Sequence, residues 1–138
     1  MRTVLDLHEK IDVAIYGIGS MYSREPSYVY TAGFLDSAEM SDLKAQGVVG
    51  DVCTVLIREN GTYEDIALNE RSSGMTPEQL QHIPRRIAVV ADPLRASVVI
   101  GALRARTITD LVCDDTTVRA LLDRLDSNDR RSGRMNGS

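Results

Sequence analysis

"RRIAVVADPLRASVVIGALRARTITDLVCDDTTVRALLDRL", residues 85–125, decides the fold. Residues 85–91, "RRIAVVA", read as a buried strand. Asp92 and Pro93 then supply a helix N-cap and first-turn residue, so "PLRASVVIGALRAR" reads as the longest helix of the chain. "ITDLVCD" is a further strand, and in "DTTVRALLDRL" Val118, Leu121, Leu122 and Leu125 recur at helical spacing. This β-α-β-α alternation with short connections calls for a parallel sheet joined by right-handed crossovers, with helices against its faces. The fold class is α/β.

Upstream, "IDVAIYGIGS" (residues 11–20) reads as a strand buried on both faces that ends in a glycine-rich loop at Gly17, Gly19 and Ser20. "TVLDLHEK" before it has room for two helical turns. In "DSAEMSDLKAQG", Asp36 and Glu39 form a capping box and Gly47 is the stop. "VGDVCTVLIRENGTYEDIAL" predicts a β-hairpin turning at Asn60-Gly61, the favoured type I′ pair. Thr76, Pro77 and Gln79 open a short helix that Pro84 ends. Residues 126–138 carry one apolar side chain and are expected to be a disordered tail, leaving residues 1–125 as the ordered domain.

Composition narrows the function classes. With no Trp and one Phe, the core is built from Val, Ile, Leu and Ala. The net charge of −4 has the wrong sign for a surface that tracks nucleic acid, so this chain alone is not expected to bind DNA. No apolar window approaches membrane-span length, and no secretory leader is evident, which reads as cytoplasmic. Cys53 and Cys113 each sit in an apolar run, as buried reduced thiols do. His8 and His82 stand seventy-four residues apart in sequence, and no metal-ligand spacing exists. Neither a metal nor a cofactor is expected.

The Gly-x-Gly of "GIGS" is not a dinucleotide fingerprint, because Tyr22 stands where the third glycine belongs and no helix follows. No Gly-Lys-Ser/Thr exists for a P-loop. The segment is either a structural turn or the wall of a small-ligand site. Arg95, in the first turn of the long helix, is either an anion contact or a surface arginine beside a capping Asp92. Asp51, preceded by Gly50 where a strand begins, either accepts hydrogen bonds from sugar hydroxyls or caps a turn.

"GIGS", "GVVGDV", "IP..I.VVA", "TDLVCDD" and "ALL", in this order and spacing, resemble the C-terminal part of the sugar-binding domain of SorC/DeoR-type bacterial transcriptional regulators. The resemblance covers roughly residues 5 to 125. It implies a Rossmann-like three-layer α/β sandwich, similar to the sugar-phosphate isomerase and coenzyme A transferase group, with a mostly parallel sheet. It also implies an effector-sensing module that binds a sugar or sugar phosphate without catalysis. The implied partners are a second copy, in a homo-oligomer, and DNA contacted only through a helix-turn-helix outside these residues. By position, the family's sugar-contacting acid falls on Asp51 and its pocket lysine on Arg95, with Gly17, Gly19 and Ser20 lining the same cleft. Two features differ from the family: Asp92-Pro93 replaces a Gly-Gly turn, and Arg95 replaces the lysine. The family's front half, with its phosphate loop, has no counterpart in these residues, so the domain is expected to be truncated. The alternatives are a ligand-independent oligomerisation fragment of such a regulator and, by fold kinship alone, an isomerase-like enzyme.

Overall fold

The computed structural model describes residues 2–135. Helix α1 (Arg2–His8) leads into strand β1 (Val13–Ser20). The one-turn α2 (Tyr28–Thr31) and α3 (Ser37–Ala45) precede the hairpin β2 (Val48–Val52) and β3 (Val55–Arg58). A 3-10 turn over Ala67–Arg71 and helix α4 (Pro77–Gln81) lead to β4 (Arg85–Val90). The chain then runs through a 3-10 turn at Pro93–Arg95, α5 (Ala96–Arg104), β5 (Asp110–Cys113) and α6 (Asp115–Met135). The five strands form one mixed sheet in the order β3-β2-β1-β4-β5. β4 pairs in parallel with β1 and β5, while β2 is antiparallel to both β1 and β3.

Local capping chemistry places the helices. Asp36 accepts from the Glu39 amide at 2.8 Å and Glu39 answers at 3.0 Å, and Thr76 with Gln79 repeats the box on α4. Asp114 caps α6 through the Thr117 amide at 2.9 Å. Asp92 accepts from the Leu94 amide at 2.9 Å, but it opens a 3-10 turn, and α5 begins only at Ala96. The longest described helix is therefore α6. Where a disordered tail is expected from residue 126, the helix continues to Met135. Its anchor is remote in sequence: Glu59 accepts from Arg124 at 2.6 and 2.9 Å and from Asn128 at 3.1 Å.

The hairpin turns at another place than Asn60-Gly61. Val52 pairs with Val55, and Cys53 and Thr54 take φ of 49° and 67°, the left-handed pair that a type I′ turn requires. Gly74 makes room for this turn, since a Cβ there would lie 1.7 Å from the Cys53 carbonyl oxygen. Asn60-Gly61 does turn the chain, with the Arg58 amide donating to Thr62 O at 2.9 Å, but it leads into a 3-10 turn instead of a strand. The Asn69 side chain takes that place on β3, accepting from Leu56 N at 2.7 Å and donating to Leu56 O at 3.0 Å. Its amide satisfies one step of an edge that would otherwise stay open.

Strand alternation separates two faces. One bears Ala14, Tyr16, Ile18, Val52, Ile57, Ala88 and Val90, and packs against Val98, Val99 and Ile100 of α5, Leu80 of α4 and Leu121 of α6. This is the main core. On the other face a smaller cluster of Met21, Leu43, Val48, Leu56 and Ile66 covers only the hairpin half. The rest of that face, over β1, β4 and β5, is open. β1 is thus not buried on both faces, because Val13 and Ile15 are exposed. The expected third layer is not formed there by the described residues: both long helices lie on the opposite side.

Candidate functional site

The "GIGS" segment belongs to a strand, not to a loop. At Gly17 the strand still pairs with Val89 of β4, and at Ile18 it changes partner to Val52 of β2. A parallel and an antiparallel neighbour therefore meet over this one stretch of backbone. A cleft at such a change of partner, near the carboxyl ends of parallel strands, is where open α/β sheets place ligands.

Asp51 is the central group. Its residue is 5% exposed, it pairs in register with Gly19, and its side chain lies across that glycine. A Cβ on Gly19 would come within 2.1 Å of Asp51 Oδ1 and 2.7 Å of Ser27 Cβ, so the glycine makes room for the carboxylate. Oδ1 is buried and makes no hydrogen bond. Burial pushes the Asp51 carboxyl above the usual carboxylate range, outweighing hydrogen bonding toward the carboxyl by Ser27, the Thr54 backbone amide and Tyr30 and the positive charge of Arg95. The Tyr30 hydroxyl is likewise buried without a partner, and burial and then the neighbouring Asp51 push it up. Cys53 is raised to about 11 by burial and by the same carboxylate, so its thiol stays protonated at neutral pH.

The other positions divide. Gly17 points to the open face, where a side chain would meet nothing within 4 Å. Ser20 faces the opposite way: it is fully buried, pairs with Gly50, and its hydroxyl accepts from Tyr22 N at 3.0 Å. That is a turn-stabilising role directed away from Asp51. Arg95 reaches under the sheet end, donating to Ile18 O at 2.7 Å and Glu25 O at 3.5 Å, with the Asp92 carboxylate 3.9 Å away. Its guanidinium fastens the residue 21–26 segment to β1, while one buried nitrogen, Nε, lacks a hydrogen bond. Arg24, Glu25, Asp92 and Arg95 line a shallow depression beside it. Asp92 already occupies the Leu94 amide, so that helix start has one donor fewer for an anion.

Ser27 and Tyr30 are the groups that sequence reasoning passed over. They lie at the N-cap and third position of α2, which brings both over Asp51. The signal was a run of hydroxyls in "SMYSREPSYVYT", hidden by its irregular, proline-containing setting. A second cavity of about 590 Å³ adjoins this helix, lined by Tyr28, Phe34, Leu35, Leu56 and Leu68 with Ser27 and Thr54 at its polar rim. Elsewhere the fold brings His8 and His82 to the rim of one pocket with Asp6 and Glu9. Among the described residues, however, no three His, Cys, Asp or Glu side chains gather as metal ligands do.

This fold is that of a known domain. The family model described as "Putative sugar-binding domain" matches residues 1–123. The chain belongs to this family, the sugar-binding domains of SorC-type regulators. It is 30% identical over 121 residues to the sorbitol operon regulator of Klebsiella pneumoniae, covering 88% of this chain and 38% of that one. To the transcriptional regulator LsrR of Enterobacter sp. (strain 638) it is 28% identical over 123 residues, again 38% of the relative. Among solved structures, a domain of a possible sugar-binding transcriptional regulator from Arthrobacter aurescens TC1 is 39% identical, with a TM-score of 0.78 over 87% of this chain and 45% of that one. The chain thus spans less than half the length of these relatives. No described helix is long and apolar enough to cross a membrane.

Proposed function

We propose that this chain is the effector-sensing module of a bacterial transcriptional regulator, holding the hydroxyl groups of a sugar or sugar phosphate against Asp51. The observation that carries this reading is a buried carboxylate with an unpartnered oxygen, seated over Gly19 at the end of β1. Leaving a charged acceptor unmatched inside a protein costs stability, and vicinal hydroxyls are the donors that would relieve it. Tyr30 and Ser27 are placed to share those hydroxyls, and Gly17 leaves the approach clear.

Arg95 serves the same site indirectly, holding the end of β1 through Ile18 O and lending positive charge to Asp51. Asp92 and Pro93 make the neighbouring helix start a poor phosphate seat, because one donor is already used and another is missing. The described residues therefore recognise the hydroxyl end of the ligand, and a phosphate would be held by groups outside them. DNA contact belongs to a helix-turn-helix elsewhere in a full-length, oligomeric regulator.

Thermal unfolding against a panel of free and phosphorylated sugars tests the reading. A ligand at about a hundred times its dissociation constant stabilises the fold by roughly 2.7 kcal/mol. Asp51→Asn should weaken that ligand by about 10–100-fold, the equivalent of a lost charged hydrogen bond. Equal affinity in the variant and the unaltered chain would remove Asp51 from the site.

A further inference from the structure

Neither Asp51 nor Tyr30 lines the cavity of about 590 Å³ beside α2, so the sugar reading leaves it unused. Its size is that of a small-molecule site, for which roughly 300–1,000 Å³ is usual. Strand register explains where it lies. Leu56 pairs with Asp51 across the hairpin, on the same face of the sheet, and lines the cavity one strand further out. Val29, Leu35 and Leu68 complete an apolar wall. At the mouth, Tyr28 and Phe34 meet edge to face with ring centres 5.9 Å apart, and they are 74% and 65% exposed. Aromatic rings left in water beside an apolar hollow gain by closing on an apolar guest.

The polar side chains around this wall are hydroxyls and one guanidinium. Arg71 is the one charged residue among the described residues that line the cavity. It meets Glu39 through a single nitrogen at 3.1 Å, and a guanidinium carries five N–H donors, so most of its capacity remains. Thr54 Oγ1 and Ser72 Oγ lie 2.6 Å apart, and Ser72 Oγ also accepts from the Gly74 amide at 3.1 Å. Whichever hydroxyl donates in that pair, the hydrogen of the other is left for an acceptor. Among the described residues no carboxylate or amide side chain lines the cavity, which makes it a poor seat for sugar hydroxyls. We infer that this cavity is a second ligand site, for an apolar monocarboxylate. Its hydrocarbon part lies against Leu35, Leu56 and Leu68, and its carboxylate accepts from Arg71 and the Thr54–Ser72 pair. The inference rests on this cavity and not on Asp51, so it stands or falls apart from the sugar reading.

The test is methyl NMR of the whole chain, titrated with octanoate and with neutral octanamide. Octanoate should shift Leu35, Leu56 and Leu68 saturably, leave the exposed Ile15 and Val112 unmoved, and bind more tightly than the amide. Arg71→Gln should weaken octanoate by about threefold to tenfold, as for a charged contact at a partly solvated group, without changing octanamide. Glu39→Gln keeps the capping box, because glutamine serves at that position, and removes the present partner of Arg71. Octanoate should therefore bind that variant more tightly, a gain that a merely structural ion pair would not produce. The chain has no Trp, so Phe34→Trp at the exposed mouth gives a second readout, with emission moving to the blue as octanoate saturates. Octanoate that leaves the three leucines unmoved overturns the inference, as does equal affinity for octanamide or for the Arg71→Gln variant. Shifts confined to Ile15 and Val112 would mean adsorption to the sheet face, and would overturn it as well.

Discussion

Replacing Asp51 with Asn keeps the size of the side chain, removes its capacity to ionise and turns one acceptor oxygen into an NH2 donor. The carboxyl titrates above its ordinary range in the folded protein because burial disfavours the charged form. Linkage sets the sign of the pH effect: the folded state binds this proton more tightly than the unfolded chain does. Asp51 therefore favours the fold fully below the ordinary carboxylate pKa of about 3.9, and that contribution is lost as pH rises through the higher folded value. Once ionised, the group carries a buried oxygen with no hydrogen bond, a cost of about 1–3 kcal/mol. An amide carries no charge to keep out of water, so about 1–2 kcal/mol should be regained where the carboxyl is ionised. For a domain of this size that is about 3–7 °C in Tm. Differential scanning fluorimetry of both proteins from pH 4 to pH 8 should show a gap that widens as pH rises above the ordinary carboxylate pKa. An Asn variant less stable at pH 7, or a gap constant with pH, would mean that the carboxylate is already satisfied. It would then be a structural group, and the recognition reading would lose its basis.

Other substitutions probe the supports of the site. Gly19→Ala drives a methyl into Asp51 and Ser27, so it should cost about 1–3 kcal/mol and abolish ligand-induced stabilisation, read in the same melting assay. Gly74→Ala pushes against the Cys53 carbonyl and should destabilise the hairpin by a similar or larger amount, with denaturant midpoint as the measure. Glu59→Gln breaks the anchor of α6; the partly solvated pair limits the loss to about 0.5–1 kcal/mol, and amide exchange should quicken selectively beyond residue 124. Because Arg124 holds the Glu59 carboxyl below its usual range, this contribution is present above the unfolded pKa and disappears as pH falls through the folded one.

What was legible in the sequence was what local chemistry decides. Asp36 with Glu39, Thr76 with Gln79, and Asp114 each cap a helix through residues three apart, and the β-α-β-α alternation after residue 85 gives the parallel pairing directly. What escaped depends on neighbours distant in the chain. Cys53-Thr54 has no turn signature, and the hairpin closes there because Gly74, twenty residues on, leaves room for the Cys53 carbonyl. The polar end of α6 looks unstructured until Glu59 is placed beside it. An unbroken apolar run such as "VAIYGI" is the same whether one face or both are covered, so periodicity could not reveal that Ile15 is bare. At the site, "GVVGDV" pointed to Asp51, but the direction of Ser20 and the commitment of Arg95 to Ile18 O depend on which face each strand position takes.

The change of partner along β1 has a kinetic side as well. The hairpin β2-β3 and the unit β4-α5-β5 each join strands close in sequence, so each can organise by itself with little loop-closure entropy. β1 belongs to neither, and bridges the two by pairing Gly19 with Asp51 and Gly17 with Val89. Contact order predicts that its insertion is the late, entropically costly event in folding. The same insertion brings Gly19 beneath the carboxylate, so a seat for sugar hydroxyls would come into being only at the moment the two halves are stitched together.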